Sequence, residues 1–430
     1  MASFAPIFAI LLFLLVSLSD AQSSFRPKAL LLRVEKDAST LQYVTKINQR
    51  TPLVPVSLVV HLGGQFLWVD CDQNYVSSSY RPVRCRSAQC SLARSTGCGD
   101  CVNGPRPGCN NNTCGATPDN PFTRTATGGE LAQDVFSIES TDGSNPGRVA
   151  TVPNYIFTCA PTFLLEGLAR GATGLAGLGR ARVGMPLQLA AAFSFPRKFA
   201  VCLSTSGIII FGDGPYSLLP GVEPSFRYTP LFINPVSTAS AYSLGDPSDE
   251  YFIRINSIRI NDKPLSINTT LLTIDSKGNG GTKISTVNPY TTLETSIYRA
   301  FTSLFTQEAA ARNISRVPAV APFDVCFSAR NVFSTRVGPS VPYIDLVLQG
   351  QNAVWTITGS NSMVYVNNDN VLCLGFLDGG SNPRTSIVIG GYQLEDNFFQ
   401  FDLAASRLGF TGTLFGSRTT CSNFNFTSNA

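Results

Sequence analysis

Short apolar runs broken by glycine, proline, asparagine and serine set the rhythm of this chain. Residues 30–34, 56–60, 66–69, 200–203, 207–211, 251–255 and 386–389 are rich in Val, Ile, Leu and Phe. Their length and flanking turn residues predict short strands of mainly antiparallel sheet. Helical periodicity is rare. It occurs at 187–193 and at 292–311, where Leu293, Tyr298, Phe301, Leu304 and Phe305 fall largely on one face. The pattern predicts a mostly β protein with a few short helices.

One pattern recurs at long range. Gly171-Ala172-Thr173-Gly174-Leu175-Ala176-Gly177 and Ile387-Val388-Ile389-Gly390-Gly391 both close an apolar run with glycine, and each follows a Gly-Gly pair, at 63–64 or 280–281, by about 110 residues. Two similar β lobes explain that spacing. The sheet pattern is interrupted at Leu218-Leu219-Pro220-Gly221-Val222-Glu223-Pro224, so the expected lobes are 22–220 and 221–430.

Composition adds the compartment. Residues 5–19 are nearly continuous apolar sequence ending at Ser19 and Ala21, which predicts a secretory signal over 1–21. All 12 cysteines lie beyond it, and an even number in a secreted chain predicts six disulfides among Cys71, Cys85, Cys90, Cys98, Cys101, Cys109, Cys114, Cys159, Cys202, Cys326, Cys373 and Cys421. Cys98 and Cys101 have metal-ligand spacing, but no histidine lies near them, so they too are expected in disulfides rather than on a metal. N-glycosylation sequons occur at Asn111, Asn268, Asn313 and Asn425. The formal charge of +4 becomes +5 without the leader, whose only charged side chain is Asp20. Spread over the chain with no basic run, it does not indicate nucleic-acid binding; weak association with acidic cell-wall polysaccharide is compatible with it. No later segment has the length of a membrane span.

The stretches Val60 to Val69, Leu67-Trp68-Val69-Asp70-Cys71-Asp72, Thr127-Gly128-Gly129-Glu130, Gly177-Leu178-Gly179-Arg180, Gly280-Gly281-Thr282-Lys283-Ile284-Ser285-Thr286, Gly390-Gly391-Tyr392-Gln393 and Arg407-Leu408-Gly409-Phe410 come in an informative order. Together they resemble the bilobal pepsin-like aspartic protease fold and, within it, the plant group of extracellular dermal glycoprotein, xyloglucanase-inhibiting proteins and basic seed globulins. The resemblance covers the mature chain. Active relatives carry an Asp-Thr/Ser-Gly motif in each lobe, because the mechanism needs two carboxylates sharing one proton. Laid on this chain, the motifs put His61, the only histidine, at the first position and Asn279 at the second. No tyrosine lies between Tyr80 and Tyr155, where active relatives place one over the substrate. The expectation is a catalytically inactive homologue with no cofactor. His61 is expected to be a buried histidine hydrogen-bonded to backbone, the other reading being a pH-sensitive latch.

The resemblance also implies a partner: a microbial glycoside hydrolase, a xyloglucan endoglucanase or a xylanase, met in the plant cell wall during defence. Similar inhibitors use loops of the C-terminal lobe, which here match 312–318 and 414–420. Arg316 and Arg418 are the residues expected to enter the cleft and pair with its carboxylates. It favours the pairs Cys202 with Cys421 and Cys326 with Cys373. A residual aspartic endopeptidase and a storage or peptide-binding globulin are the alternatives.

Overall fold

A computed structural model describes residues 25–102, 104–217, 223–240, 245–367 and 370–424. The predicted leader, the sequon at Asn425 and the expected lobe boundary at 220/221 lie outside the described residues.

The fold is mostly β, and its organising unit occurs twice. In the N-terminal half the strand Gly174–Gly177 runs parallel to Val54–His61 and antiparallel to Trp68–Asp70, which in turn runs parallel to Pro146–Ala160. In the C-terminal half Ile387–Ile389 runs parallel to Thr282–Ile284 and antiparallel to Thr291–Leu293, which runs parallel to Phe376–Asp378. The sequence repeat therefore corresponds to a structural one. Strands this apolar are buried on both faces, which is why their side chains do not alternate: Leu58, Val59 and Val60 are all fully buried.

The halves also share a sheet. The C-terminal strand Asn397–Asp402 returns to pair with Lys198–Cys202 and carries Arg407–Thr413 on its other edge, in a 15-stranded sheet that holds most of the N-terminal strands. Phe199 stacks on Phe401 with centroids 4.7 Å apart, and Tyr251 closes the cluster. Buried aromatic surface from both halves thus fuses them.

The first predicted helix is Met185–Phe193. The second is shorter than its periodicity suggested, spanning Thr295–Ala311, because Thr291–Leu293 is a strand and Glu294 caps the helix by accepting the N–H groups of Ser296 and Ile297. Six disulfides form: Cys71–Cys159, Cys85–Cys98, Cys90–Cys114, Cys101–Cys109, Cys202–Cys421 and Cys326–Cys373. Cys98 and Cys101 bond to different partners. Among the described residues, no helix is long and apolar enough to cross a membrane.

Candidate functional site

The repeat identifies two equivalent apex positions where the halves meet. Val60 stands opposite Ala176 and Ile284 opposite Ile389, each partner followed by a glycine, so the next residues, His61 and Ser285, occupy matching places. One side chain ties the two together: Thr286 Oγ1 donates to the carbonyl of Val60 at 2.8 Å and accepts the N–H of Leu62 at 3.0 Å. Its counterpart, Leu62, has no hydroxyl to return these bonds.

Asn279 is not at the apex. It lies in an exposed turn, where its backbone N–H and side-chain amide both donate to Asp275, at 2.8 and 3.3 Å. The two glycine pairs are not equivalent. Gly63-Gly64 follow the first apex, whereas Gly280-Gly281 precede the strand that leads to the second and form its entry turn, with φ of +88° and +73°. The informative signal was Ile284-Ser285-Thr286, a hydroxyl pair directly after a short buried strand.

A segment of the C-terminal half crosses to the first apex. Glu250 packs against Gly63 so closely that a Cβ there would lie 2.6 Å from Glu250 Cγ. The Glu250 carboxylate accepts bonds from Lys283 Nζ at 2.6 Å, Ser248 Oγ at 3.2 Å and Thr238 Oγ1. Next to it, Asp249 pairs with Arg94, and its carbonyl accepts the N–H of Arg180 at 3.0 Å. Burial works to raise the Glu250 carboxyl, but Lys283, Thr238 and His61 hold it below its ordinary value.

His61 is 8% exposed, and its ring makes no hydrogen bond with any described residue, so the expected bond to backbone is not formed. Burial, with Lys283 assisting and Glu250 opposing, lowers its pKa to about 4. The imidazole is therefore neutral in mildly acidic surroundings. Beyond it a cleft of about 770 Å³ is lined by His61, Gly64, Asp119, Glu130, Asp249 and Glu250 among others. Burial pushes Asp119 up to about 6, and its Oδ2 has no partner.

The two arginines proposed from sequence differ sharply. Arg316 is tied to its own lobe, donating to the carbonyl of Asp324 at 3.1 Å and to Thr306 Oγ1 at 3.3 Å while lying over the ring of Phe327. Arg418 is exposed in the left-handed conformation, φ +59°, at the end of the turn Leu414–Ser417, and its guanidinium has no partner among the described residues. Sequence reasoning passed over Arg336. It is exposed at the tip of the hairpin Ser334–Thr335/Gly338–Pro339, also without a partner among the described residues.

These two free arginines belong to one connected block. The hairpin is bonded to the short helix Gly359–Ser362 through Ser360 N–H to the carbonyl of Val337 at 2.9 Å, and Asn361 of that helix donates to the carbonyl of Glu395 at 2.8 Å. The neighbouring Asp396 then holds the Arg418 turn, its carbonyl accepting the N–H of Leu414 at 2.7 Å. Of the sequons, Asn111, Asn268 and Asn313 are all exposed. Asn111 accepts the N–H of Cys101, Asn268 caps the turn Thr269–Leu272, and Asn313 is left-handed with φ +57°.

The duplicated four-strand unit, the apex cross-link and the sheet common to both halves define the pepsin-like class. Within it, the chain belongs to the xylanase-inhibitor family: the profile described as "Xylanase inhibitor N-terminal" matches residues 43–213, and "Xylanase inhibitor C-terminal" matches 250–412. It is 63% identical to "Probable aspartic proteinase GIP2" of Nicotiana benthamiana over 97% of this chain and 96% of that protein. It is 44% identical to "Gamma conglutin 1" of Prunus dulcis, over 95% and 92%. Among solved structures, "Crystal structure of edgp" matches with a TM-score of 0.93 at 68% identity, covering 94% of this chain and all of that one. The soybean basic 7S globulin structure matches with a TM-score of 0.78 at 38% identity, covering 93% of this chain and all of that one.

Proposed function

We propose that the protein is a secreted, non-proteolytic inhibitor of microbial cell-wall-degrading glycoside hydrolases, a xyloglucan endoglucanase or a xylanase, acting in the plant apoplast. The observation that carries this reading is the free guanidinium of Arg418 on a turn held by the Cys202–Cys421 disulfide. A retaining β-glycanase holds two carboxyl groups about 5–5.5 Å apart at its cleft floor. A guanidinium between them forms charge-assisted, bidentate bonds and fills the sugar site. A stiff support reduces the ordering cost of binding. Arg336 replaces Arg316 as the second inserted residue, because Arg316 would first have to give up its bonds to Asp324 and Thr306.

The apex supports the non-enzyme half of the reading. An imidazole and a hydroxyl at His61 and Ser285 are not a pair of carboxylates sharing a proton, and Glu250, bonded to Lys283, packs against Gly63 beside the first of them.

The experiment is to mix the purified chain with a xyloglucanase and a xylanase in parallel, following residual activity and complex formation. Stoichiometric inhibition of one of them is expected. Inhibition of neither overturns the reading in favour of a storage or peptide-binding globulin, a role favoured by the names of the relatives. Pepstatin-sensitive peptide cleavage at acidic pH would instead reveal an endopeptidase.

A further inference from the structure

We infer that Phe333 is an aromatic wedge that occupies a sugar-stacking subsite of the target glycanase and sets which glycanase is held; this rests on the inhibitor reading above. Phe333 is 81% exposed, against 41% for Phe25, 55% for Phe163 and 46% for Tyr365, the other exposed aromatic side chains among the described residues. Single exposed apolar residues are ordinary on protein surfaces and by themselves carry no function. The mounting of this one sets it apart.

Both flanks of Phe333 are fixed. Val332 donates its N–H to the carbonyl of Ala329 at 3.1 Å, and the carbonyl of Phe333 accepts the N–H of Ser340 at 2.8 Å. The hairpin that follows is braced by Thr335 Oγ1, which donates to the carbonyl of Gly338 at 2.6 Å and accepts the N–H of Val337 at 3.2 Å. Gly338, at φ +91°, presses on the neighbouring helix: a Cβ there would lie 2.2 Å from the backbone nitrogen of Ser360. The ring is thus held in water by a rigid support, three residues from the free guanidinium of Arg336 at the hairpin tip.

That pairing matches the chemistry of a polysaccharide cleft. Sugar rings present flat C–H faces, which glycanase subsites receive on aromatic side chains, while the catalytic carboxylates lie between subsites. A phenyl ring has the flat apolar outline of a sugar and stacks on such an aromatic floor offset or edge-on. Arginine supplies the charge and phenylalanine the sugar-like face. Subsite architecture differs between glycanases, so the ring discriminates where the arginines, which read carboxylates common to all of them, do not.

The test uses the full chain and its Phe333→Ala and Phe333→Trp variants, measuring inhibition constants against a xyloglucanase and a xylanase and repeating the assay with a saturating oligosaccharide in the cleft. Phe333→Ala is expected to weaken inhibition of the target about tenfold and to change the ratio between the two enzymes, with Phe333→Trp restoring most of it and thermal unfolding unmoved. The oligosaccharide should compete with the wild type. A change of less than threefold in Phe333→Ala, with wild-type inhibition intact, overturns this inference alone. Failure of the wild type to inhibit either enzyme overturns it together with the inhibitor reading.

Discussion

The carboxylate of Asp396 accepts the backbone N–H of Cys421 at 3.0 Å, while its own carbonyl accepts the N–H of Leu414 at 2.7 Å. One residue therefore clamps both ends of the turn that presents Arg418. Ser204 Oγ donates to the second carboxylate oxygen at 3.3 Å, and the backbone of Asp396 is left-handed, φ +50°. Burial raises its pKa despite these donors.

Support and contact are separable on this basis. Asp396→Ala leaves the buried N–H of Cys421 without an acceptor, at a cost of about 1–3 kcal/mol, and loosens the turn, so both thermal stability and inhibition should fall. Arg418→Ala touches an exposed, unpartnered side chain and should leave stability within about 0.5 kcal/mol while weakening inhibition by about 2 kcal/mol or more. Chemical denaturation and inhibition constants on the two variants check this. Parallel loss of stability and inhibition in Arg418→Ala would contradict it.

The apex makes a second contrast. Thr286→Val strands the buried N–H of Leu62 and the carbonyl of Val60, which each lose their cross-repeat bond to Oγ1. A loss of about 2–3 kcal/mol is expected. Asn279→Ala removes one side-chain bond from an exposed turn and should cost about 0.5 kcal/mol. Urea unfolding of the two variants measures the difference, and equal costs would show that the apex lies elsewhere.

Much of the fold was legible because buried strands carry their own signal: the apolar runs at 56–60 and 207–211 became strands whole, and 386–389 did so over 387–389. The glycine repeat was legible for the same reason. The second apex was not, because a Gly-Gly pair serves as an exit turn in one half and an entry turn in the other, and only strand pairing tells them apart. Nor does sequence distinguish Arg316 from Arg418 and Arg336. What separates them is whether the guanidinium finds partners in its own lobe, a property of tertiary contacts. The hairpin with Arg336 at its tip had one available signal, the aromatic Phe333 directly before the polar residues 334–336.

His61 and Asp119 give opposite pH dependences. The His61 pKa falls from 6.5 to about 4 on folding, so its contribution is fully present above pH 6.5 and is lost as pH falls toward 4, a swing of about 3 kcal/mol. Asp119 rises from 3.8 to about 6, so its contribution is fully present below pH 3.8 and is lost as pH rises through 6. Between pH 4 and 6 the two offset each other. In that window His61→Gln should become more stable on acidification and Asp119→Asn less stable, against a flatter wild type, as read from thermal unfolding across pH. Identical profiles for all three would refute the assignment.

The Glu250–Lys283 pair tests whether the segment packed against Gly63 is held by charge. Both side chains are largely buried, at 10% and 14% exposure, and joined at 2.6 Å. Lys283→Met leaves Glu250 as an uncompensated buried carboxylate, which costs about 3–5 kcal/mol. Without Lys283, burial dominates and the Glu250 pKa rises above its unfolded value, so the variant's deficit should shrink as pH falls and grow toward neutrality. Adding Glu250→Gln removes the stranded charge and should recover most of the loss, because a neutral amide can still accept from Thr238 and Ser248. A double-mutant cycle in urea at pH 4.5 and pH 7 measures both effects. A deficit in Lys283→Met that is the same at the two pH values, and is not relieved by the second substitution, would mean that packing against Gly63 rather than the ion pair holds the segment in place.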